Sequence, residues 1–277
     1  MTTPNADEIR VHVAKAYASR VNEFLSQPGD ELDVVQAEDP CCGPATESGD
    51  ACCAPGEPAE FVISNIKKLY EGADTADLPG SVTDVAFGCG NPTAIDALQP
   101  GETVLDLGSG GGIDCFLAAK MVGPTGQVYG VDMTPEMVSL ARANATKVGA
   151  TNVEFRLGEI EHLPIPGDTV DVIISNCVIN LSPDKDQVFR EAFRVLRPGG
   201  RLQVSDIVWT RPVDESTRQD MEQWASCIAG ALLESDYLDA IRAAGFVEVS
   251  ADTSEYEGGN GVASAAVFAR KPGGPHE

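Results

Sequence analysis

Eight cysteines have the most distinctive chemistry in this chain, and three of them stand singly beside glycines, at a strand end or in a helix. Cys89 lies between two glycines, Cys177 follows a largely apolar strand pattern, and Cys227 falls in an expected helix. Thiolates select soft ions over hard ones. Three such sulfurs could hold a soft, thiophilic centre in a pyramid, with its lone pair directed away from them. Reaction at that lone pair needs no general base, because no proton leaves the attacking atom.

Each of these three cysteines could instead serve only to pack the core, since a free cysteine is often a small buried apolar residue. That interpretation suits Cys177 and Cys227 taken alone. It fits Cys89 poorly, because glycines flank this residue on both sides. Cys115 lies in a helical pattern among other apolar residues, and we expect it to serve packing alone.

The remaining four cysteines form two adjacent pairs in a proline-rich and acidic stretch, residues 26–60, which reads as a loop or linker. The pairs are Cys41-Cys42 and Cys52-Cys53. They lack the C-x-x-C spacing of a zinc site. A mobile thiol relay and a dispensable segment both remain open for them.

The elements that must position the single thiols follow from hydrophobic periodicity. Apolar side chains at i, i+4 spacing predict a helix over residues 6–25, and a short helix is expected over 61–70. Beyond them, strand patterns alternate with helix patterns: strands at 103–108, 127–132, 153–160, 170–176, 201–208 and 245–251, and helices at 113–122, 135–149 and 186–196. We expect Asp184 to Asp186 to form a solvated helix start, and the tail from Lys271 to fray.

This alternation predicts an α/β fold with a Rossmann-like, mostly parallel sheet and helices on both faces. We expect N-terminal helices and a C-terminal α/β extension around it. The expected divisions are an N-terminal helix and cysteine linker over 1–60, the Rossmann-like domain over 61–210, and the extension over 211–277.

A glycine-rich turn follows the first strand of the alternating region, in the run Asp106-Leu107-Gly108-Ser109-Gly110-Gly111-Gly112. Glycines there let a ligand approach the backbone, and the following helix offers free N–H groups. The dinucleotide pattern G-x-G-x-x-G fails, because Ile113 occupies the third glycine position. Asp132 ends the second strand, 26 residues after Asp106, and can accept both ribose hydroxyls. The third strand ends in Gly158-Glu159-Ile160, where a base could be recognised.

These features, together with Leu196-Arg197-Pro198-Gly199-Gly200 before the fifth strand, resemble the class I S-adenosylmethionine-dependent methyltransferases. The resemblance implies that Asp106, Gly108 and Gly110 hold the methionine end and the sugar. It further implies cofactor contacts from the rest of the turn and from the neighbouring strand ends, namely Ser109, Gly112, Asp132, Met133, Gly158, Glu159, Ile160, Ser175 and Asn176.

A closer resemblance is to arsenite methyltransferase, and it covers roughly residues 60–250. Its motifs in this chain are GCGNP, DLGSGGGIDCFLAAK, GVDMTPEMV, SNCVINLSPDK and FRVLRPGG. The resemblance implies that Cys89, Cys177 and Cys227 bind As(III), and that the paired cysteines at 41–42 and 52–53 supply further thiols. Phe87 departs from family members that carry Tyr two residues before the loop cysteine, so only ring contact with the cofactor is retained there.

The resemblance implies transfer of methyl groups from S-adenosylmethionine to thiol-bound As(III), with arsenite as the substrate. Methylation formally oxidises arsenic, so a cellular thiol reductant, thioredoxin-like or glutathione, must reset the cysteines. Two alternatives stay open. One is a methyltransferase acting on a small organic acceptor such as a quinone, with incidental cysteines. The other is a protein that sequesters a metalloid or metal on a vestigial cofactor fold.

The composition and net charge indicate which classes of binding partner are to be expected. The net charge of −24 repels nucleic-acid phosphates and anionic membranes, so we expect neither partner. Seven lysines against 43 acidic residues favour a salt-adapted surface, although simple acid drift is the alternative. No apolar run approaches the roughly 20 residues that span a bilayer. The polar start MTTPNADEIR shows no secretory signal, so we expect a cytoplasmic protein with reduced thiols rather than structural disulfides.

Overall fold

The computed structural model describes residues 5–26, 75, 78–83, 97–213, 224, 227–256 and 260–274. Its strands are β1 (Thr103–Leu107), β2 (Gln127–Asp132), β3 (Val153–Leu157), β4 (Val170–Asn176), β5 (Leu196–Trp209), β6 (Val247–Glu255) and β7 (Val262–Arg270). Its helices are α1 (Ala6–Leu25), α2 (Gly80–Thr83), α3 (Ile113–Val122), α4 (Pro135–Val148), α5 (Lys185–Val195) and α6 (Glu234–Ala243), with a 3-10 turn at Ile179–Leu181. Among these helices, none is long and apolar enough to cross a membrane.

The seven strands form one sheet in the order β3-β2-β1-β4-β5-β7-β6. The strands from β3 to β5 all pair in parallel, so their carboxyl ends meet at a single edge. β1 and β4 are buried along almost their whole length, as expected of central strands covered on both faces. The prediction of a Rossmann-like, mostly parallel α/β sheet is therefore confirmed.

Helices cover both faces of this sheet because each offers an apolar stripe. On one face, α3 and α4 contribute Phe116, Leu117 and Val138 to a core with β1 and β2. On the other, α5 and α6 contribute Phe189 and Tyr237, whose rings meet edge to face with centroids 5.3 Å apart. The cores hold the sheet rigidly and fix the positions of the loops at its carboxyl edge.

The antiparallel strand β7 is absent from the sequence-based expectations. Its small residues, such as Ala263 and Ala265, pair with β5 and are buried in the core. The expected frayed tail is wrong at Lys271, whose backbone N–H donates to Gly200 O at 2.8 Å. Its ammonium group donates to Leu196 O at 2.7 Å, so the residue after β7 is anchored to the sheet.

Helix α1 begins with a capping box, in which Asn5 and Glu8 exchange backbone and side-chain hydrogen bonds of 2.9 and 3.0 Å. Its buried residues include Val13 and Val21, which follow the i, i+4 spacing. Val21 packs against α4. The predicted helix over 6–25 is confirmed, while the expected helix over 61–70 lies outside the described residues.

Candidate methyl-donor cleft and thiol site

The glycine turn after β1 folds back tightly on the end of β2. Gly108 and Ser109 donate their backbone N–H groups to Val131 O at 2.7 and 3.0 Å. Gly108 has φ of 70°, and a Cβ there would overlap the methyl groups of Val178. Only glycine fits this position, because it combines left-handed backbone with close contact. The turn therefore presents bare backbone towards the open side of the sheet edge.

Two carboxylates stand on either side of that turn, Asp106 buried and Asp132 partly exposed. Asp132 accepts backbone N–H groups from Gly110 and Thr134, both at 2.9 Å. Asp106 is 3% exposed and accepts a hydrogen bond from the Cys115 thiol at 3.3 Å. Burial raises the pKa of both carboxyl groups, and the nearby Asp114 raises that of Asp106 further. Cys115, expected to serve packing alone, thus also contacts a carboxylate of this site.

The cleft in front of these groups encloses about 930 Å³ of space, including its open mouth. It is lined by residues from α1, the glycine turn and the ends of β2 and β4: Arg10, Val13, Tyr17, Asp106, Gly108, Ser109, Gly110, Gly111, Ile113, Asp114, Asp132, Met133, Thr134, Met137, Ile160, Glu161, Asn176, Cys177, Val178, Leu181, Ser182 and Pro183. The mixed polar and apolar lining suits a small organic cofactor.

The cleft passes a chemical test for S-adenosylmethionine. This molecule carries a positive sulfonium and an ammonium group, and the wall offers the clustered acids Asp106, Asp114 and Asp132. The Ser109 hydroxyl is buried and has no hydrogen-bond partner within the described residues. A buried polar group without a partner is costly, so a ligand that pairs with it is stabilised.

Most of the expected cofactor residues line this cleft, but four of those in the described part of the chain do not. Gly112 caps α3 instead, and a Cβ there would meet Phe116 and Phe155 at 2.8 Å. Gly158 donates its N–H to Asp132 O at 3.0 Å. Glu159 is exposed and lies 3.8 Å from Arg10. Ser175, also expected at the cofactor, instead donates its hydroxyl to Leu107 O at 3.2 Å.

Cys177 and Cys227 are in contact at the carboxyl edge of the sheet. The Cys227 thiol donates a hydrogen bond to Cys177 O at 3.0 Å, although 50 residues separate them in the chain. Both residues are buried and both have left-handed backbone, with φ of 58° and 64°. Such backbone costs on the order of 1 kcal/mol or more for a residue other than glycine and often marks functional positions. Cys177 also lines the cleft.

The two sulfurs differ in redox state. Cys177 is disulfide-bonded, whereas Cys227 and Cys115 are free. A sulfur in a disulfide cannot act as a thiolate ligand until it is reduced.

The Cys227 thiol is protonated in its surroundings. Burial raises its pKa, and the charge of Asp206 raises it further. Arg20 and Lys185 act in the opposite direction, since a nearby cation favours the thiolate. The thiol therefore enters any reaction as a neutral group that must lose its proton on binding.

A buried polar network around Asp206 supports the two thiol loops, and sequence reasoning missed it. Asp206 accepts hydrogen bonds from Asn180 N–H and Tyr237 Oη, both at 3.2 Å, and from Ile207 N–H at 3.0 Å. Lys185 is buried rather than solvated, and it donates to Asn180 O at 3.2 Å. Burial raises the pKa of Asp206 to about 7, while Ile207 N–H and Lys185 oppose this rise.

Sequence reasoning also missed the contribution of α1. Arg10 lies 3.2 Å from Glu161, whose carboxylate accepts the Ser182 hydroxyl at 2.7 Å. Val13 and Tyr17 line the cleft. Their spacing predicts an apolar helix face, but such a face is equally expected of a helix that only packs on the core. Phe87, Cys89 and the pairs Cys41-Cys42 and Cys52-Cys53 lie outside the described residues.

The fold and cleft agree with a known family. The model of the methyltransferase domain family matches residues 98–245, more than half of the chain. The chain belongs to this family.

Individual relatives carry a narrower similarity. An arsenite methyltransferase of Halobacterium salinarum is 47% identical, over 84% of this chain and 62% of that protein. The chain thus spans about three fifths of that relative's length. A solved arsenic (III) S-adenosylmethionine methyltransferase from Chlamydomonas reinhardtii is 36% identical with a TM-score of 0.64, over 76% of this chain and 75% of that one. A 2-phytyl-1,4-naphtoquinone methyltransferase of Synechococcus elongatus is 34% identical over 52% of this chain.

Proposed function

We propose that this protein transfers methyl groups from S-adenosylmethionine to thiol-bound As(III), giving methylated arsenicals in arsenic detoxification. One observation carries the proposal: Cys227 Sγ lies 3.0 Å from Cys177 O, so two distant thiol residues meet beside the methyl-donor cleft. The similarity to arsenite methyltransferases supports the choice of substrate.

S-adenosylmethionine supplies a methyl group on a positively charged sulfur. We assign Asp106, Ser109 and the glycine turn to its methionine end, and Asp132 to its ribose hydroxyls. Met133 and Ile160 offer apolar contact for adenine. The carboxylates offset the positive charges of the donor.

Arsenite is bound as substrate by replacing its hydroxyl groups with cysteine sulfurs. Each thiol that binds gives its proton to a departing hydroxyl, which leaves as water. In the proposal Cys89 joins Cys177 and Cys227, so three sulfurs hold arsenic and its lone pair faces the donor. The lone pair forms the As–C bond as the S–CH3 bond breaks, and the bonding electrons stay on the departing sulfur. Positioning alone drives this step.

The reaction needs two electrons for each methyl group, because the methylated arsenic is formally pentavalent. Two thiols supply them by forming one disulfide. The disulfide at Cys177 supports such a cycle. We propose that a thioredoxin-like protein or glutathione reduces it in the cytoplasm, and that Cys41, Cys42, Cys52 and Cys53 act as a relay.

The test is arsenic speciation by chromatography and mass spectrometry after reduced protein is incubated with arsenite, S-adenosylmethionine and a dithiol. We expect methylated arsenicals from the wild type and none from Cys177→Ser or Cys227→Ser. Cys89→Ser should lose the first methylation equally. Each variant should still bind S-adenosylmethionine in calorimetry, which separates a lost thiol from a lost fold. Full activity in either Cys177→Ser or Cys227→Ser refutes the three-thiol site.

A small organic acceptor such as a quinone is the second candidate, favoured by the apolar part of the cleft wall around Val13, Ile113 and Leu181. Labelled S-adenosylmethionine distinguishes the two when a naphthoquinol and arsenite are offered in parallel. Label on the quinol alone would favour this candidate. Absence of S-adenosylmethionine binding would instead favour metalloid sequestration.

A further inference from the structure

Helix α1 forms one wall of the cleft rather than a separate appendage. Arg10, Val13 and Tyr17 are spaced three and four residues apart, so they share one helix face, and all three line the cleft. The helix is held at both ends of this face. Arg10 pairs with the buried Glu161 at 3.2 Å, and Val21 packs against α4. A wall fixed in this way can select ligands by shape.

Two residues of this wall, Val13 and Tyr17, reach both halves of the site, and Tyr17 carries the larger side chain. Its ring packs on the apolar cluster that contains Cys177 and Cys227, and Met133 from the donor side packs on the same cluster. The Arg20 guanidinium stacks over the ring, 4.9 Å from its centroid. Burial raises the pKa of the Tyr17 hydroxyl, and the nearby Cys227 raises it further, so the ring remains a neutral phenol.

We propose that Tyr17 is a specificity-determining residue that limits how many methyl groups the bound arsenic can acquire. The inference rests on the proposed function. Each added methyl takes the place of one thiol on trivalent arsenic. A methylated centre therefore needs new space beside the sulfurs, and it must turn its lone pair back towards the donor. The Tyr17 ring occupies the wall where thiol side and donor side meet.

The experiment compares wild-type protein with Tyr17→Phe, Tyr17→Leu and Tyr17→Ala. The ratio of dimethylated and trimethylated to monomethylated arsenic is measured at equal total methyl transfer. Tyr17→Ala should raise this ratio by about tenfold, since a pocket discriminates one methyl group by roughly that factor. Tyr17→Leu should raise it less, and Tyr17→Phe should leave it within about twofold because the ring remains.

Phe24→Ala is the matched control. Phe24 and Tyr17 both pack against the cluster of Val21, Met137 and Leu140, but of the two Tyr17 alone also packs against the thiol cluster. This variant loosens the helix to a similar degree without removing a ring from the thiol cluster. An equal shift in Phe24→Ala overturns the proposal, because helix loosening would then explain the result. Unchanged ratios in both Tyr17→Ala and Tyr17→Leu also overturn it.

A measurement of arsenic affinity tests the proposal in variants whose methyl transfer is too slow to quantify. Trp209 and Trp224 pack on the cluster of Cys227, so their fluorescence reports arsenic binding. The affinity for monomethylated As(III) relative to arsenite should rise in Tyr17→Leu and Tyr17→Ala, and a constant ratio overturns the proposal. A wild-type protein that makes no methylated arsenical refutes the proposed function instead, so the two failures are distinguishable.

Discussion

The thiol of Cys227 donates a hydrogen bond to the carbonyl oxygen of Cys177 at 3.0 Å, and both residues have left-handed backbone. This contact directs one sulfur towards the main chain that carries the other. Two strained backbone positions are thereby joined at the loop edge of the sheet. The arrangement is stable without arsenic, because the thiol proton has a partner.

Cys227 should react slowly with iodoacetamide in the reduced protein, because burial and Asp206 raise the pKa of its thiol. Alkylation should still accelerate about tenfold per pH unit between pH 8 and 10, since the thiolate fraction keeps rising there. Peptide mapping by mass spectrometry gives the rate, with glutathione as the reference thiol. Arsenite should suppress the reaction. A plateau near pH 8.5 at the rate of glutathione would contradict the buried, bonded thiol.

Protein stability should fall as pH rises between about 4 and 7 because of Asp206. Its pKa is raised from 3.8 to about 7 in the folded protein, so the protonated form is favoured by folding. The stability that this group contributes is complete below the unfolded pKa and is lost as pH rises through the folded one. Urea unfolding at pH 5 and pH 7.5 measures the difference.

Asp206→Asn should remove much of that pH dependence. Asp171→Asn is the matched control, because Asp171 also bonds a backbone N–H, that of Thr103 at 2.8 Å, but lies at the opposite end of the sheet beside Arg197. Its substitution should leave the slope of stability against pH intact. An unchanged slope in Asp206→Asn would show that another group titrates in this range.

Binding of S-adenosylmethionine should weaken as pH falls through the raised pKa values of Asp106 and Asp132. In the free protein, burial favours the neutral acids, whereas a cationic ligand favours the carboxylates. The ligand therefore lowers both pKa values on binding and releases protons. Calorimetry in buffers of different ionisation enthalpy measures that release. Affinity that stays constant from pH 8 to pH 5 would exclude these carboxylates as the charge partners.

Gly108→Ala should destabilise the protein by about 3 kcal/mol, from left-handed backbone and overlap with Val178 together. Gly110→Ala is the matched control. Gly110 also has positive φ, but a Cβ there meets nothing within 4 Å, so its cost should be only about 1–2 kcal/mol. Adding Val178→Ala to Gly108→Ala should recover the part due to overlap. Equal losses in the two alanine variants would contradict the close contact.

The sequence was sufficient for the parallel half of the fold because each element there carries its own local signal. The helix over 113–122 and the strand that ends at Asn176 are mostly apolar runs, and the strand that ends at Asp132 is bounded by glycine and polar residues. β7 was not predicted because its alanine-rich sequence has a weak preference for the strand conformation. The strand is stabilised instead by pairing with β5 and β6. The burial of Lys185 was not predicted for a related reason, since a lysine at a helix start normally faces solvent.

Residue types and spacing alone determined the glycine turn, the acid at the end of β2 and the candidate thiols. The conformational freedom of glycine, the charge of a carboxylate and the affinity of a thiolate for soft ions are properties of single residues. Only the tertiary structure decided which of them meet. It brought Cys227 to Cys177, packed Tyr17 against the cluster that contains both, and surrounded Asp206 with hydrogen-bond donors from three segments. Such contacts depend on how distant loops converge at one sheet edge, and no local pattern encodes that convergence.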